Sequence, residues 1–203
     1  MDHVSLINPE AQIFHWGPCV CVMKIENKFR ELLLSEGKKC KEDAAPSLAG
    51  ILDKQLLYRN LKIFDPYFSK YLSGYGKVLR KYMNRSLNLK MVLESLWINY
   101  QGPNEFNPPH DHSGDLTFVI YLKVPEKLKE ENKKFKGKSS GPGGIAFLYG
   151  EGDRLAVTHQ GLFPKEGHMV IFPAWVKHFV YPYKSNCTRV SVSGNIFIKR
   201  EEL

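Results

Sequence analysis

Short segments rich in β-branched and aromatic residues fill the chain from residue 90 onward. Clusters of Gly, Pro, Asn and Asp separate them, which is the pattern of strands joined by turns. A run of such strands predicts a β-sandwich or barrel. The predicted strands are Lys90–Tyr100, Leu116–Val124, Gly144–Tyr149, His168–Phe172, His178–Tyr181 and Thr188–Ile198.

The first half of the chain carries helical signals instead. Apolar residues in the range 25–33 recur at spacings of four, three and one, and Gly37 follows them as a C-cap. Asp65 and Pro66 then predict the N-cap and first turn of a second helix, and an aromatic stripe over residues 64–83 predicts its buried face. Helices followed by strands predict an α+β fold with helices packed on one face of the β core.

Length and composition fit one domain. At 203 residues the chain has the size of a single compact unit, and no linker divides it. We expect residues 1–90 to form a mainly helical support for a β core over 91–203, with a lysine-rich insertion at 123–143. The segment Lys123–Lys138 contains seven lysines and three glutamates. This composition predicts a mobile loop, which could be a lid, a docking surface or a plain solvated loop.

Charge and cysteine usage bear on partners and compartment. The net charge of +8 is compatible with nucleic acid or with an acidic substrate, although arginines are few and dispersed. The apolar runs are shorter than the ~20 residues that cross a bilayer, and the start shows no secretion signal, so no membrane is predicted as a partner. Four scattered cysteines favour buried thiols in a reducing compartment, which predicts a cytoplasmic protein.

Three histidines are candidate metal ligands. His110 and His112 are two residues apart, so in an extended chain both imidazoles lie on the same side. His178 begins a later predicted strand and could approach the pair from across the β core. Ordinary polar histidines remain the alternative, since a pair of histidines at this spacing is weak evidence by itself.

A late strand offers an anion-binding face beside them. Arg189, Ser191 and Ser193 alternate with valines, so the polar side chains share one face. A guanidinium that points into a β core is costly unless it meets an anion, and its planar fork suits a carboxylate. Together with the histidines, this strand predicts a pocket that holds a cation at one end and a small acid at the other.

These motifs resemble those of the Fe(II)/2-oxoglutarate-dependent dioxygenases. The likeness is to the small prolyl-hydroxylase-like oxygenases of bacteria and large tailed bacteriophages, and it spans essentially the whole chain. The motifs that carry it are Leu96-Trp-Ile-Asn-Tyr-Gln101, Glu105-Phe-Asn-Pro-Pro-His-Asp-His-Ser-Gly-Asp115, the segment Phe172-Pro-Ala-Trp-Val-Lys-His178, the strand Arg189–Asn195, and upstream Trp16-Gly-Pro and Leu48-Ala-Gly50.

The resemblance implies a double-stranded β-helix, or jelly roll, with supporting N-terminal helices. It implies Fe(II) as cofactor, 2-oxoglutarate as co-substrate and dioxygen, with hydroxylation as the reaction. By position, His110 and His178 are metal ligands, and Arg189 pairs with the far carboxylate of 2-oxoglutarate with help from Ser191. Residues that contact co-substrate or substrate by the same reasoning are Tyr121, Asn99 and, more weakly, Asn195. A phage-encoded protein would act in the host cytoplasm.

The third metal ligand stays open at this point. The usual triad has two histidines and one carboxylate, and here His112 occupies the carboxylate position. A three-histidine site is one reading, and Asp115 entering from the following turn is the other; Asp111 would point away in a regular strand.

Two further functions remain alternatives on the sequence alone. One is a three-histidine dioxygenase of cupin type without a keto acid, and the other is a catalytically silent jelly-roll module that binds a polyanion or a protein. The substrate of an oxygenase is not specified and could be a protein side chain, a nucleobase or a metabolite, and a homodimer is compatible with the sequence. Candidates for an apolar wall around the site are Trp97, Phe118, Phe172 and Trp175.

Overall fold

The computed structural model describes residues 17–84, 89–152 and 157–200, which excludes Trp16. Within these residues the chain forms three α-helices: α1 (Asn27–Gly37), α2 (Asp65–Met83) and α3 (Glu126–Lys134). The strands are β1 (Cys21–Lys24), β2 (Gln55–Leu57), β3 (Leu89–Gln101), β4 (Asn107–His110), β5 (Leu116–Lys123), β6 (Ile145–Leu148), β7 (His159–Leu162), β8 (His168–Pro173), β9 (His178–Val180) and β10 (Arg189–Arg200).

The strands form two antiparallel sheets. The larger sheet has the order β1-β8-β5-β10-β3-β2, and the smaller has the order β4-β9-β6-β7. Apart from the pairs β2–β3 and β6–β7, neighbouring strands are not consecutive along the chain, as in a jelly roll, where the chain passes back and forth between sheets. The predicted α+β fold with a jelly-roll core is therefore confirmed.

Helices α1 and α2 cover the outer face of the larger sheet. Phe29 and Phe68 are almost fully buried, and the Phe68 ring lies 5.0 Å from that of Phe118 on β5. Tyr75 is also buried, and its hydroxyl donates to the carbonyl of Cys19, 3.0 Å away. The central part of the aromatic stripe thus belongs to the core, as predicted, and the opposite face of the sheet is left for the site.

The helix ends differ from the sequence prediction. Gly37 is the last residue of α1 rather than its cap, which is Lys38. A Cβ at Gly37 would lie 2.4 Å from the Ile98 side chain, so glycine is needed there for close helix–sheet packing. Helix α2 is capped by Phe64, and Asp65 is its first residue and makes no side-chain cap. Asp65 instead places a negative charge in the first turn, which suits the helix dipole.

The lysine-rich insertion was wrongly predicted to lack structure. It contains α3, which is anchored by the fully buried Leu128 while its lysines face outward. The short strands β1, β2, β4 and β7 were also absent from the predicted strands, because three or four residues give too little periodicity. None of the described helices is both long enough and apolar enough to span a bilayer.

Candidate active site

The candidate site is a cavity between the two sheets. The smaller sheet contributes His110 and His178, and the larger one contributes side chains of β3, β5 and β10. The segment that contains Leu48 and Leu52 closes one side. Gly50 in this segment packs tightly, since a Cβ there would lie 3.0 Å from the Gln55 side chain.

Three imidazoles meet in this cavity. Strands β4 and β9 pair so that His110 lies directly opposite His178, and His112 follows just after β4 ends. The ring centroids are 4.2 Å apart for His110 and His178 and 5.0 Å apart for each pair that includes His112. One nitrogen from each ring lies within 4.8 Å of the others, which is compact enough to hold one metal ion.

Backbone hydrogen bonds orient two of the rings for metal binding. The Nδ1 atom of His178 lies 3.0 Å from the Val176 carbonyl, and Nδ1 of His110 lies 2.7 Å from the Pro108 carbonyl. A carbonyl only accepts, so each Nδ1 carries the proton and each Nε2 keeps its lone pair. This is the usual arrangement around metal-bound histidine, in which the second nitrogen is fixed by a backbone or carboxylate acceptor.

Burial keeps two of the imidazoles neutral. It lowers the pKa of His178 to about 3 and that of His112 to about 4, and electrostatic repulsion by the neighbouring His110 ring adds to both effects. The Nε2 atoms of His112 and His178 are 3.3 Å apart. Two neutral rings whose Nε2 atoms lie this close are suited to sharing a cation.

A row of polar side chains crosses the larger sheet opposite the imidazoles. Ser191 on β10 is paired with Tyr121 on one side and with Asn99 on the other, and Asn99 is paired in turn with Gln55. Residues paired across neighbouring strands face the same side of a sheet, so all four line the cavity. Asn99 donates to the Ser193 hydroxyl at 3.3 Å and accepts from Gln55 at 2.9 Å.

Arg189 lies buried at one end of this row. It is 3% exposed, and its guanidinium carbon lies 5.5 Å from the centre of the Tyr121 ring. Nη1 donates to the Gly143 carbonyl at 2.7 Å, whereas Nε and the Tyr121 hydroxyl have no hydrogen-bond partner among the described residues. Burial lowers the pKa of Arg189 and raises the pKa of Tyr121 to about 12.

The charge of Arg189 is not balanced by a carboxylate within the described part of the chain. None of the ion pairs found there includes it. A buried cation with spare donors is costly unless an anion completes it. The donor set therefore fits the far carboxylate of a small keto acid, and the three imidazoles fit a divalent metal.

The structure separates Asp115 from the imidazoles. It is exposed, and its carboxylate accepts a hydrogen bond from the Ile198 backbone at 2.7 Å, so it is engaged with β10. Asp111 is exposed as well. Asn195 points toward Ser113, 3.4 Å away, and does not line the cavity.

The predicted apolar wall is only partly present. Phe172 lies 4.8 Å from the His178 ring and Trp97 lies 5.8 Å from the His112 ring. Phe118 also borders the cavity, but its ring packs under the helices against Phe68. Trp175 is 58% exposed, because it lies in the turn between β8 and β9, and the prediction for it was wrong.

Sequence reasoning missed Gln55 and Asn107 as cavity residues. Gln55 is 1% exposed, and its amide oxygen has no partner among the described residues. Its strand has three residues, which show no usable alternation. Asn107 was visible as part of the first histidine motif, but its own position gave no signal.

A family model described as "Putative 2OG-Fe(II) oxygenase" matches residues 95–195. This segment contains all three histidines and Arg189. No curated protein sequence matches the chain significantly.

Solved structures of low sequence identity share the fold. A viral collagen prolyl hydroxylase from Paramecium Bursaria Chlorella virus-1, solved with 2OG, is 13% identical with a TM-score of 0.53, and the match covers 87% of this chain and 94% of that one. A prolyl-4-hydroxylase from Pseudomonas putida is 12% identical with a TM-score of 0.54, covering 90% and 93%.

HygX from Streptomyces hygroscopicus, solved with nickel, 2-oxoglutarate and hygromycin B, is also similar. It is 11% identical with a TM-score of 0.54, and the match covers 88% of this chain and 82% of that one. At such identities these likenesses support the fold, and the family match supplies the chemistry. Residues 95–195, with their clustered imidazoles and the buried arginine, match the 2OG-Fe(II) oxygenase family, and the chain is an oxygenase that uses Fe(II) and 2-oxoglutarate.

Proposed function

We propose that this enzyme couples oxidative decarboxylation of 2-oxoglutarate to hydroxylation of a substrate, with His110, His112 and His178 holding Fe(II). Arg189 binds the far carboxylate of 2-oxoglutarate. Ser191 and Tyr121 add hydrogen bonds to that carboxylate, and Asn99 contacts co-substrate or substrate beside them.

The observation that carries the proposal is the buried guanidinium, which has no counter-ion among the described residues. Arg189 is 3% exposed, and the Tyr121 hydroxyl, which has no hydrogen-bond partner in the same part of the chain, lies in the same cavity. A structural role alone leaves both groups short of a partner, whereas a bound carboxylate would satisfy both. Charge-assisted hydrogen bonds of this kind are about twice as strong as neutral ones.

When bound, Fe(II) and 2-oxoglutarate would supply the oxidising chemistry: one oxygen atom of dioxygen would enter the succinate that forms with carbon dioxide from the keto acid, and the other would be inserted into a C–H bond of the substrate. The protein provides the placement. His110 and His178 present fixed lone pairs, because their Nδ1 protons are committed to backbone carbonyls. Arg189 orients the acid from the far end, and Phe172 and Trp97 exclude water beside the imidazoles.

His112 stands in the place of the usual carboxylate in this proposal. Its ring lies 5.0 Å from each of the other two, and Asp115 is held away by the Ile198 backbone. Three imidazoles would hold the metal and would leave positions free for a chelating acid and dioxygen.

The two alternatives leave parts of the cavity unexplained. A cupin-type dioxygenase without a keto acid has no use for the buried Arg189. A silent binding module has no need of three imidazoles that converge on one point. The substrate is not identified by these contacts. The similar structures include prolyl hydroxylases and HygX solved with hygromycin B, so peptides and small molecules both belong in a screen.

Anaerobic titration with Fe(II) and 2-oxoglutarate tests the proposal. The wild-type protein is expected to give the weak visible charge-transfer band of a chelated keto acid, and in air it should release succinate slowly without substrate. His178→Ala should lose the band. His168→Ala is the matched control, since His168 lies at the start of β8 outside the cavity. A wild-type protein without the band would contradict the proposal.

Compartment and assembly are further parts of the proposal. All four cysteines are unpaired, which supports a reducing compartment such as the cytoplasm. If the protein is encoded by a phage, this would be the cytoplasm of the host cell. A homodimer stays a prediction, which light scattering on the purified protein would test.

A further inference from the structure

We propose that helix α3 positions the Arg189 guanidinium through the turn at Pro142–Gly143, which makes Asn132 a positioning residue for keto-acid binding. This inference rests on the proposed function, since it assigns the lysine-rich insertion a task at the same site. The insertion is then a support for co-substrate binding rather than a lid or a plain loop.

The Arg189 guanidinium is hydrogen-bonded to a tight turn. Residues Gly141–Gly144 form a turn closed by a 2.9 Å hydrogen bond from the Gly144 amide to the Gly141 carbonyl. Pro142 takes the second position and Gly143 the third, with a φ of 72°, which is the pattern of a type II turn and requires glycine. The Gly143 carbonyl accepts a hydrogen bond from Arg189 Nη1 at 2.7 Å, so the orientation of the Gly143–Gly144 peptide fixes the position of the guanidinium in the cavity.

Helix α3 holds that turn from behind. The Asn132 side-chain amide donates to the Ser140 carbonyl at 2.7 Å and to the Pro142 carbonyl at 3.1 Å. Pro142 immediately precedes the peptide that meets Arg189. Leu128, fully buried on the same helix, packs against Gly143 so closely that a Cβ there would lie 2.8 Å from its Cδ1.

The same helix also holds the segment that leads into the strand of Arg189. The Glu131 carboxylate accepts from the backbone amides of Lys184 and Ser185 at 2.9 Å and 2.7 Å. Helix α3 therefore fixes both the acceptor of the Arg189 hydrogen bond and the approach to β10. A lid would need to leave the surface, and contacts on two sides oppose that movement.

Removal of the Asn132 amide should loosen the turn and weaken binding of the keto acid. Two backbone carbonyls lose their donor in Asn132→Ala, which corresponds to about a tenfold rise in the Kd for 2-oxoglutarate. Asn132→Asp has the same shape but places a carboxylate against the two carbonyl oxygens, so it should weaken binding at least as much. The imidazoles are not touched, and the Kd for the metal should stay unchanged.

The test compares wild-type protein, Asn132→Ala, Asn132→Asp and Lys133→Ala. Lys133 is the matched control, because it is exposed on the same helix. The Kd for 2-oxoglutarate comes from calorimetry with Mn(II)-loaded protein, the Kd for Mn(II) from a separate titration, and the melting temperature from the metal-free protein. A tenfold loss for the keto acid in both Asn132 variants, with Lys133→Ala and Mn(II) binding like the wild type, supports the inference.

Two results would overturn it in different ways. If both Asn132 variants bind 2-oxoglutarate like the wild type, whatever their melting temperatures, α3 serves the fold alone and the proposed function stands. If the wild-type protein binds Mn(II) but no 2-oxoglutarate, the proposed function fails and this inference fails with it. Loss of Mn(II) binding in the variants would show general damage to the cavity and would also contradict a role confined to Arg189.

Discussion

Replacement of Arg189 by methionine should weaken co-substrate binding and stabilise the free protein. Methionine has a flexible, apolar side chain that can fill much of the space left by the stem of the arginine. The guanidinium is 3% exposed, has one hydrogen bond to the Gly143 carbonyl and no carboxylate partner among the described residues. Arg189 thus costs stability in the free protein and gains its compensation only when an acid is bound.

Both changes can be sized from these contacts. Removal of the buried charge saves a burial penalty of several kcal/mol. The Gly143 carbonyl then loses its hydrogen-bond donor, which costs about 1–3 kcal/mol, so the net gain in unfolding free energy is on the order of 1 kcal/mol. For a chain of this length such a gain raises Tm by about 2–4 °C. Loss of one side of a buried charge pair costs roughly 2–5 kcal/mol, which weakens binding of 2-oxoglutarate about 30-fold or more.

The assay is a thermal melt of metal-free protein with a calorimetric titration of 2-oxoglutarate into Mn(II)-loaded protein. Lys199→Met is the control, since Lys199 is exposed on the same strand and the change should alter neither quantity. Opposite signs, with Tm up and affinity down, are the expected result for Arg189→Met. A lower Tm together with unchanged affinity would refute the reasoning, because Arg189 would then be a structural residue.

Three further predictions concern single positions. His112→Asp restores the usual triad of two histidines and one carboxylate, so it should retain binding of Mn(II) and 2-oxoglutarate. His112→Ala should weaken Mn(II) binding at least tenfold in calorimetry. Equal Mn(II) affinity in His112→Ala and the wild type would show that His112 is not a metal ligand. Asp115→Ala should leave Mn(II) affinity unchanged and cost about 1 kcal/mol of stability in denaturant unfolding, since its carboxylate accepts from the Ile198 amide; lost metal binding would revive the carboxylate alternative. Gly194→Ala should destabilise the fold by about 1–3 kcal/mol, because the added Cβ would lie 2.4 Å from the Ser95 carbonyl oxygen, and an unchanged melting temperature would contradict that packing.

Strand periodicity explains why much of the site was predictable. His110 and His112 are two apart, and Arg189 and Ser191 alternate with valines, so each set was expected on one face before any coordinates. The structure places both sets around one cavity. His178 was expected to approach the pair from across the β core, but its strand β9 pairs directly with β4 in the same sheet, and this pairing across a long stretch of sequence is not encoded locally.

Other features were out of reach for physical reasons. Helix α3 has one fully buried side chain, Leu128, so its pattern looks like a solvated lysine-rich loop. Gln55 lies in a strand of three residues, and the pairing that brings it beside Asn99 is not encoded locally. Trp175 is a residue type that is usually buried, but it lies in the turn between β8 and β9 and is exposed to solvent there.

The all-imidazole donor set has an electrostatic consequence. A carboxylate ligand would cancel one charge of a divalent metal, whereas His110, His112 and His178 cancel none, and Arg189 adds a further positive charge to the same cavity. Occupancy by the metal alone thus leaves three positive charges beside buried surface, and a dicarboxylate would neutralise two of them. The bound metal should therefore raise the affinity for the dicarboxylate, and the bound dicarboxylate should raise the affinity for the metal by the same factor, as thermodynamic linkage requires. The metal is therefore expected to bind more weakly to this protein when the keto acid is absent.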